Sequence, residues 1–206
     1  MTGDDERDDE PPRAVVLKPE HPVRVTLGEE SYRRSDDTWD DAGNPTAEIA
    51  FDNENGGLLI EVAVTNVDRT FAPSGGTNRL DNENADVNGA GIQLYLRTDD
   101  ALAGYVLVPN PVDDTVNSRP ISGWGSAIPV EPTWIATDNG YVVEIHIPGL
   151  KTGTVIDVDV IVNEKPANRE RRRGQLVLSG GAGEFAYLRG DRHDADRLIP
   201  MLLTDA

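Results

Sequence analysis

The sequence predicts an all-β fold, an antiparallel β-sandwich or jelly roll. Three features of the chain point there. Several segments alternate apolar and polar residues, the pattern of a strand with one face buried. The 20 Gly and 14 Pro fall at short intervals and punctuate any run long enough for a helix. Turn signals separate many short strand patterns, the spacing of a sandwich rather than of a βαβ fold.

Taken in order, strands are predicted over residues 13–17, 23–27, 46–51, 58–65, 90–97, 105–108, 133–137, 141–147, 155–163, 175–178 and 199–203. The first two are short β-branched runs beside prolines. In "FDNENGGLLIEV" the Asn55-Gly56 pair joins two strand patterns, because both residues accept positive φ. Asp138-Asn139-Gly140 does the same before Tyr141. In 90–97, Ile92, Leu94 and Leu96 share one face, and Gln93, Tyr95 and Arg97 the other. In 141–147, Tyr141, Val143, Ile145 and Ile147 face inward. In 155–163, Ile156, Val158, Val160 and Val162 do so. If these three strands share a sheet, its outer face displays Gln93, Tyr95, Arg97, Glu144, His146, Asp157 and Asp159. Long connections are expected over 68–89, 109–131 and 166–174, where binding groups usually sit.

Length and composition set the bounds. The 206 residues suit a single domain over 14–206, preceded by a disordered acidic leader over 1–13. There is no cysteine, which excludes disulfides, thiolate nucleophiles and cysteine-bound metal sites. A formal net charge of −18 argues against nucleic acid as a partner. No apolar run is long enough for a membrane span. Haem is not expected, because it needs axial ligands such as Met or His and the only methionines are Met1 and Met201.

Three segments, in the right order, resemble the family 9 carbohydrate-binding modules and the wider sandwich superfamily that includes DOMON domains. They are "TAEIAFDNENGGLLIEVAVTNVD" (46–68), "ADVNGAGIQLYLRTDD" (85–100) and "NGYVVEIHIPGLKTGTVIDVDVIVNE" (139–164). The third carries Tyr141, Glu144, Ile147-Pro148 and Asn163 at the spacing of that family. The resemblance implies a sandwich that binds polysaccharide or oligosaccharide without chemistry, attached or accessory to a secreted glycoside hydrolase, with structural calcium. An extracytoplasmic or secreted location goes with it; the first residues are not a secretory signal, which fits either a cytoplasmic protein or one whose signal peptide is absent from this sequence. The family's clamp of two tryptophans is not matched here: the C-terminal region offers Phe185 and Tyr187, and the loop after Thr65 offers Phe71.

Candidate carbohydrate-binding residues are Gln93, Tyr95, Arg97, Trp124, Glu144, Tyr187 and Arg189. Trp124 stands between two glycines in "SGWGSAIP", placed either to stack on a sugar face or to plug an end of the sandwich. "GEFAYLRGDRHDADR" supplies Tyr187, Arg189 and His193, as a ligand edge or as a salt-bridged closing loop. The run "RERRRG" (169–174) is a basic island that either meets acidic sugars or neutralises nearby carboxylates. "LDNENADVNG" gathers Asp81, Glu83, Asp86 and Asn88, oxygen donors of the kind calcium takes, or simply a solvated acidic loop. Two other functions stay open: a glycoside hydrolase or lyase using Glu144 or His146, and a structural or adhesion module. A retaining glycosidase needs two carboxylates about 5–5.5 Å apart, for which Glu144 and Asp159 are the candidates.

Overall fold

The structure, a computed structural model, describes residues 14–54, 56–66, 68–72, 83–188 and 191–205. The acidic leader, Asp81 and Arg189 lie outside these residues. Two sheets face each other. The five-stranded sheet runs β2 (Val23–Leu27), β4 (Thr46–Glu54), β5 (Gly57–Thr65), β10 (Gly140–Pro148), β9 (Glu131–Thr137). The eight-stranded sheet runs β1 (Val15–Leu17), β13 (Ile199–Leu203), β11 (Val155–Glu164), β6 (Gly91–Arg97), β7 (Leu102–Asn110), β8 (Thr115–Pro120). Its branch carries β12 (Gly174–Val177) on β11, and β3 (Tyr32–Arg34) on β12. The fold is the β-sandwich expected. The named strands pair antiparallel except for β1 and β13, where Val15 meets Met201 and Leu17 meets Leu203 in parallel.

Alternation makes the core. Leu58, Ile60, Val62 and Val64 of β5 and Tyr141, Val143, Ile145 and Ile147 of β10 line the inner face of one sheet. Ile92, Leu94 and Leu96 of β6 and Ile156, Val158, Val160 and Val162 of β11 line the other. These rows are removed from water on both sheets, and that burial is the main favourable term in folding. Two hairpins set the register. Gly56, at φ +87°, turns β4 into β5, so that Glu54 faces Gly57. Gly140 begins β10 where a Cβ would stand 1.8 Å from the Val64 carbonyl oxygen, so no larger residue fits there.

The structure corrects one sequence expectation with consequences for function. β6 and β11 are neighbours, but β10 belongs to the opposite sheet. Glu144 and His146 therefore lie on the far side of the sandwich from Asp157 and Asp159. Glu144 faces Glu61 and Thr133 across its neighbours and is exposed, and His146 contacts exposed Glu131 at 3.3 Å. The carboxylate pair Glu144 and Asp159 is thus split between two faces. Two strands, β3 and β8, were not foreseen. Both are short and rich in polar side chains, and β8 is an outer strand of its sheet, where one side needs no apolar partner.

Candidate functional site

The outer face of the large sheet is not bare. Row by row it carries Arg97 opposite Asp157, Tyr95 opposite Asp159, and Gln93 opposite Ile161, with Val106 of β7 on Gln93's other side. Loops fold over these rows and bury a second apolar cluster of Val87, Tyr95, Val106, Val108, Ile121, Ile161, Val177 and Leu198. Gln93 and Tyr95, expected at the surface, are both 0% exposed. The cause is the apolar content of this outer face: Val106, Val108 and Ile161 need covering as much as the inner rows do.

Buried polar groups under the loops bond one another. Asn163 Oδ1 accepts from Gln93 Nε2 at 3.1 Å and from Gln175 Nε2 at 2.8 Å. Arg33 Nη1 donates to Gln175 Oε1 at 3.0 Å, and Arg33 Nε to Glu184 Oε2 at 2.9 Å. Tyr95 Oη donates to Gln93 Oε1 at 2.8 Å and lies 2.9 Å from the Asp191 carbonyl oxygen. Burial pushes the Tyr95 hydroxyl well above its ordinary range, so it stays a neutral donor. Asp159 accepts from Ser179 Oγ at 2.5 Å and from the Val160 and Ser179 amides, with His193 Nε2 at 2.6 Å. Its hydroxyl partner bonds the carboxylate and not the imidazole, so the three groups do not form a nucleophile–base relay.

Around Tyr95 the cover reaches the surface. Trp124 is half-buried, its ring 4.8 Å from Tyr95 in an edge-on arrangement and 6.3 Å from His193. Its flanks, Gly123 at φ +86° and Gly125 at φ +71°, give the loop its tight path. Trp124 sits directly over Gly104, where an added Cβ would meet the Trp124 Cβ at 2.7 Å. Arg119 of β8 binds Asp86 with both arms, Nε to Oδ2 at 2.6 Å and Nη2 to Oδ1 at 2.9 Å, and reaches Asp191 Oδ2 at 3.3 Å. A half-buried indole, a guanidinium and carboxylates are thus gathered around Tyr95.

Over 94% of its length the chain superposes on 97% of a solved family 9 carbohydrate-binding module from Caldicellulosiruptor kristjanssonii, a protein in complex with glucose, at a TM-score of 0.60 and 13% identity. This chain has the fold of a family 9 carbohydrate-binding module. No family model and no curated protein matches the sequence.

Within this family 9 fold the remaining predicted residues separate. Arg97 lies one row from Tyr95, partly exposed, with Nε on Asp157 Oδ2 at 2.7 Å. Tyr187 donates its hydroxyl to the Arg172 carbonyl at 2.9 Å, and Arg171 lies 5.1 Å over its ring. Glu144 is on the other sheet, away from this rim. The basic island divides: Arg172 is buried, while Arg169 pairs with Asp36 and Asp37.

The described part of the predicted calcium loop does not fit a calcium ion. Both Asp86 oxygens are held by Arg119. Glu83 Oε2 and Asn88 Oδ1 accept from Arg172 Nη1, at 2.9 and 3.2 Å. Guanidinium groups supply the positive charge a cation would bring, and among the described residues no cluster of three or more His, Asp or Glu is placed for a metal. The melting temperature is accordingly expected to be unchanged by a chelator; a fall that calcium restores and sodium chloride does not would show a bound ion.

Sequence reasoning missed Arg33, Gln175 and Arg119 as parts of this face. Arg119 lies in a segment read as a loop, and Arg33 in a charged stretch that looks solvated.

Proposed function

We propose that this protein is a non-catalytic carbohydrate-binding module, accessory to a secreted polysaccharide-degrading enzyme and acting outside the cytoplasm. The observation that carries the reading is the match, along nearly the whole chain, to a family 9 module solved in complex with glucose. The rim around Tyr95 adds a chemical reason. A half-buried indole offers an apolar plane to the C–H face of a sugar, and neighbouring guanidinium and carboxylate groups suit its hydroxyls. Arg97, on the same sheet face, is a further contact, because its planar donor fork spans two oxygens.

Retention on polysaccharide gels, followed by calorimetry with the polymer that retards the protein, tests this. Trp124→Ala is expected to weaken binding by about tenfold or more, the loss that goes with truncating an aromatic anchor. Arg97→Ala is expected to weaken it less, with little change in stability, since Arg97 is partly exposed. Unchanged affinity in both variants would remove this rim as the site. No retention of the parent on neutral or acidic polysaccharides would remove the function.

A further inference from the structure

Glu164 occupies a core position. The inward row Ile156, Val158, Val160, Val162 of β11 ends on it, and it is 1% exposed. Its Oε2 accepts from Asn66 Nδ2 at 2.7 Å and lies 3.7 Å from Arg173 Nη2. Its Oε1 is buried with no donor among the described residues, and Arg173 Nε and the Tyr141 hydroxyl are buried there without partners as well. This is the setting of a neutral acid. A carboxylate carries charge on both oxygens and needs donors at both, whereas a carboxylic acid can accept at one and leave only a neutral group at the other.

The donor at Oε2 belongs to a strap. Asn66 follows β5, and the segment 68–72 runs from the small sheet to the large one at this end of the sandwich. The Thr70 amide donates to the Lys165 carbonyl, and the Ala90 amide to the Thr70 carbonyl, each at 2.8 Å. Arg69 Nη1 donates to the Asn66 carbonyl at 2.9 Å, and the Ala167 amide to Asp68 Oδ1 at 3.2 Å. Phe71 packs edge-on against Tyr141 and Trp134, with ring centres 5.2 and 5.7 Å away. These holds are few, and every residue of 68–72 is exposed or half-buried. On the other sides of Glu164, β10 and β11 are inner strands paired along both edges. Water therefore gains access to the carboxyl group by opening of the strap, the least stable of the elements that enclose it.

We infer that Glu164 is a pH-operated latch: its neutral form holds the 68–72 strap, with Phe71, down over Tyr141 and Trp134, and its ionised form releases it. The latch does not depend on the sugar-binding reading.

The surrounding groups set its direction. Arg173, which leads into β12, is the charge beside Glu164; Tyr141 comes from β10, Tyr32 from β3 and Arg69 from the strap. Asp37 and Arg169 act on Tyr32 from beyond, and Lys165 faces Asp68 of the strap. Burial keeps both tyrosines neutral. Burial also raises the Glu164 carboxyl from 4.5 to about 7, against the pull of Arg173 and Asn66. With the strap open, water solvates the carboxyl and its ordinary value returns. The closed form thus keeps a proton that the open form has lost between pH 4.5 and 7, so opening grows with pH across that window and levels off above it.

Amide hydrogen exchange of the isotope-labelled full chain tests the latch, read by NMR from pH 5.5 to 8 and corrected for the intrinsic base-catalysed rate. The opening constant at Thr70 is expected to rise about thirtyfold over that range, the ratio set by 4.5 in the open form and about 7 in the closed one. It should not respond to low urea, because a local opening exposes little surface, whereas the core amides of Ile60 and Ile145 should exchange through urea-dependent unfolding. Glu164→Gln should make the opening at Thr70 flat over the same range. Should that variant fail to fold, the Glu164 carboxyl-carbon shift of the parent is the second measure, expected to titrate near 7. Four results would each overturn the latch. They are Thr70 exchange with the urea dependence of Ile60, no rise with pH, a rise that persists in Glu164→Gln, and a Glu164 carboxyl that titrates near 4.5.

Discussion

At pH 8 the Glu164→Gln variant is expected to be more stable than the parent, and near pH 4.5 the two are expected to be equal. The reason is the burial of a carboxyl group at a core position. Its value is raised from 4.5 to about 7 in the folded protein, burial being the largest cause. The folded state therefore holds a proton that the unfolded chain has released between these values. Stability from this group is fully present below pH 4.5, declines as pH rises through the window, and is lost above about 7. A shift of this size corresponds to roughly 3 kcal/mol. Glutamine keeps the shape and removes the titration. Urea denaturation of both proteins at several pH values measures the difference, in which the many other carboxylates cancel. A parent-minus-variant difference that is flat with pH, or that grows in the parent's favour as pH rises, would show that Glu164 is ionised without penalty.

The strands and the inner rows were legible in the sequence because period-2 alternation reports burial on one face directly. Residues 23–27 and 199–203 were predicted with the observed limits, and β10 and β11 to within a residue at each end. The parity of Ile92, Leu94 and Leu96 and of Ile156 through Val162 gave the core correctly. Sheet membership was not legible, because alternation says which face is buried and not which strand lies alongside. This is why Glu144 was grouped with Asp159.

The covered outer face was missed for a different reason. Gln93, Tyr95 and Asp159 are polar by type, and polarity on the free face of a strand usually means solvent. A counter-signal was present in "YVLV" (105–108), a continuous apolar run, which a strand needs when both faces are buried. Ile161, on the outer parity of β11, said the same. Together they show that loops cover this sheet, and that polar side chains beneath them must bond one another. The same blindness entered the calcium expectation. Carboxylates clustered in sequence were read without the arginines, 119 and 172, that the fold brings to them from distant strands and loops.

Arg172 is the group whose loss should destabilise the protein most, and Arg172→Met is expected to lower its stability by about 3–5 kcal/mol. The side chain is 0% exposed. Its Nη1 donates to Glu83 Oε2 at 2.9 Å, to the Val87 carbonyl at 3.2 Å and to Asn88 Oδ1 at 3.2 Å. Its Nη2 donates to the Ala186 carbonyl at 2.8 Å. One guanidinium thus ties the 85–88 turn and the 186–188 turn to the segment that leads into β12. Methionine matches the apolar stem and withdraws the charge, leaving Glu83 and two backbone carbonyls without it. Arg172→Lys should recover little, because a single ammonium cannot reach acceptors on both sides of a planar fork. The midpoint of urea unfolding measures the loss. Exchange of the Val87 and Ala186 amides should quicken in step, since these turns depend on the anchor. A loss below about 1 kcal/mol would mean that the turns are held by the apolar cluster around Val87 and Leu198 alone, and that the buried charge is a passenger of the fold.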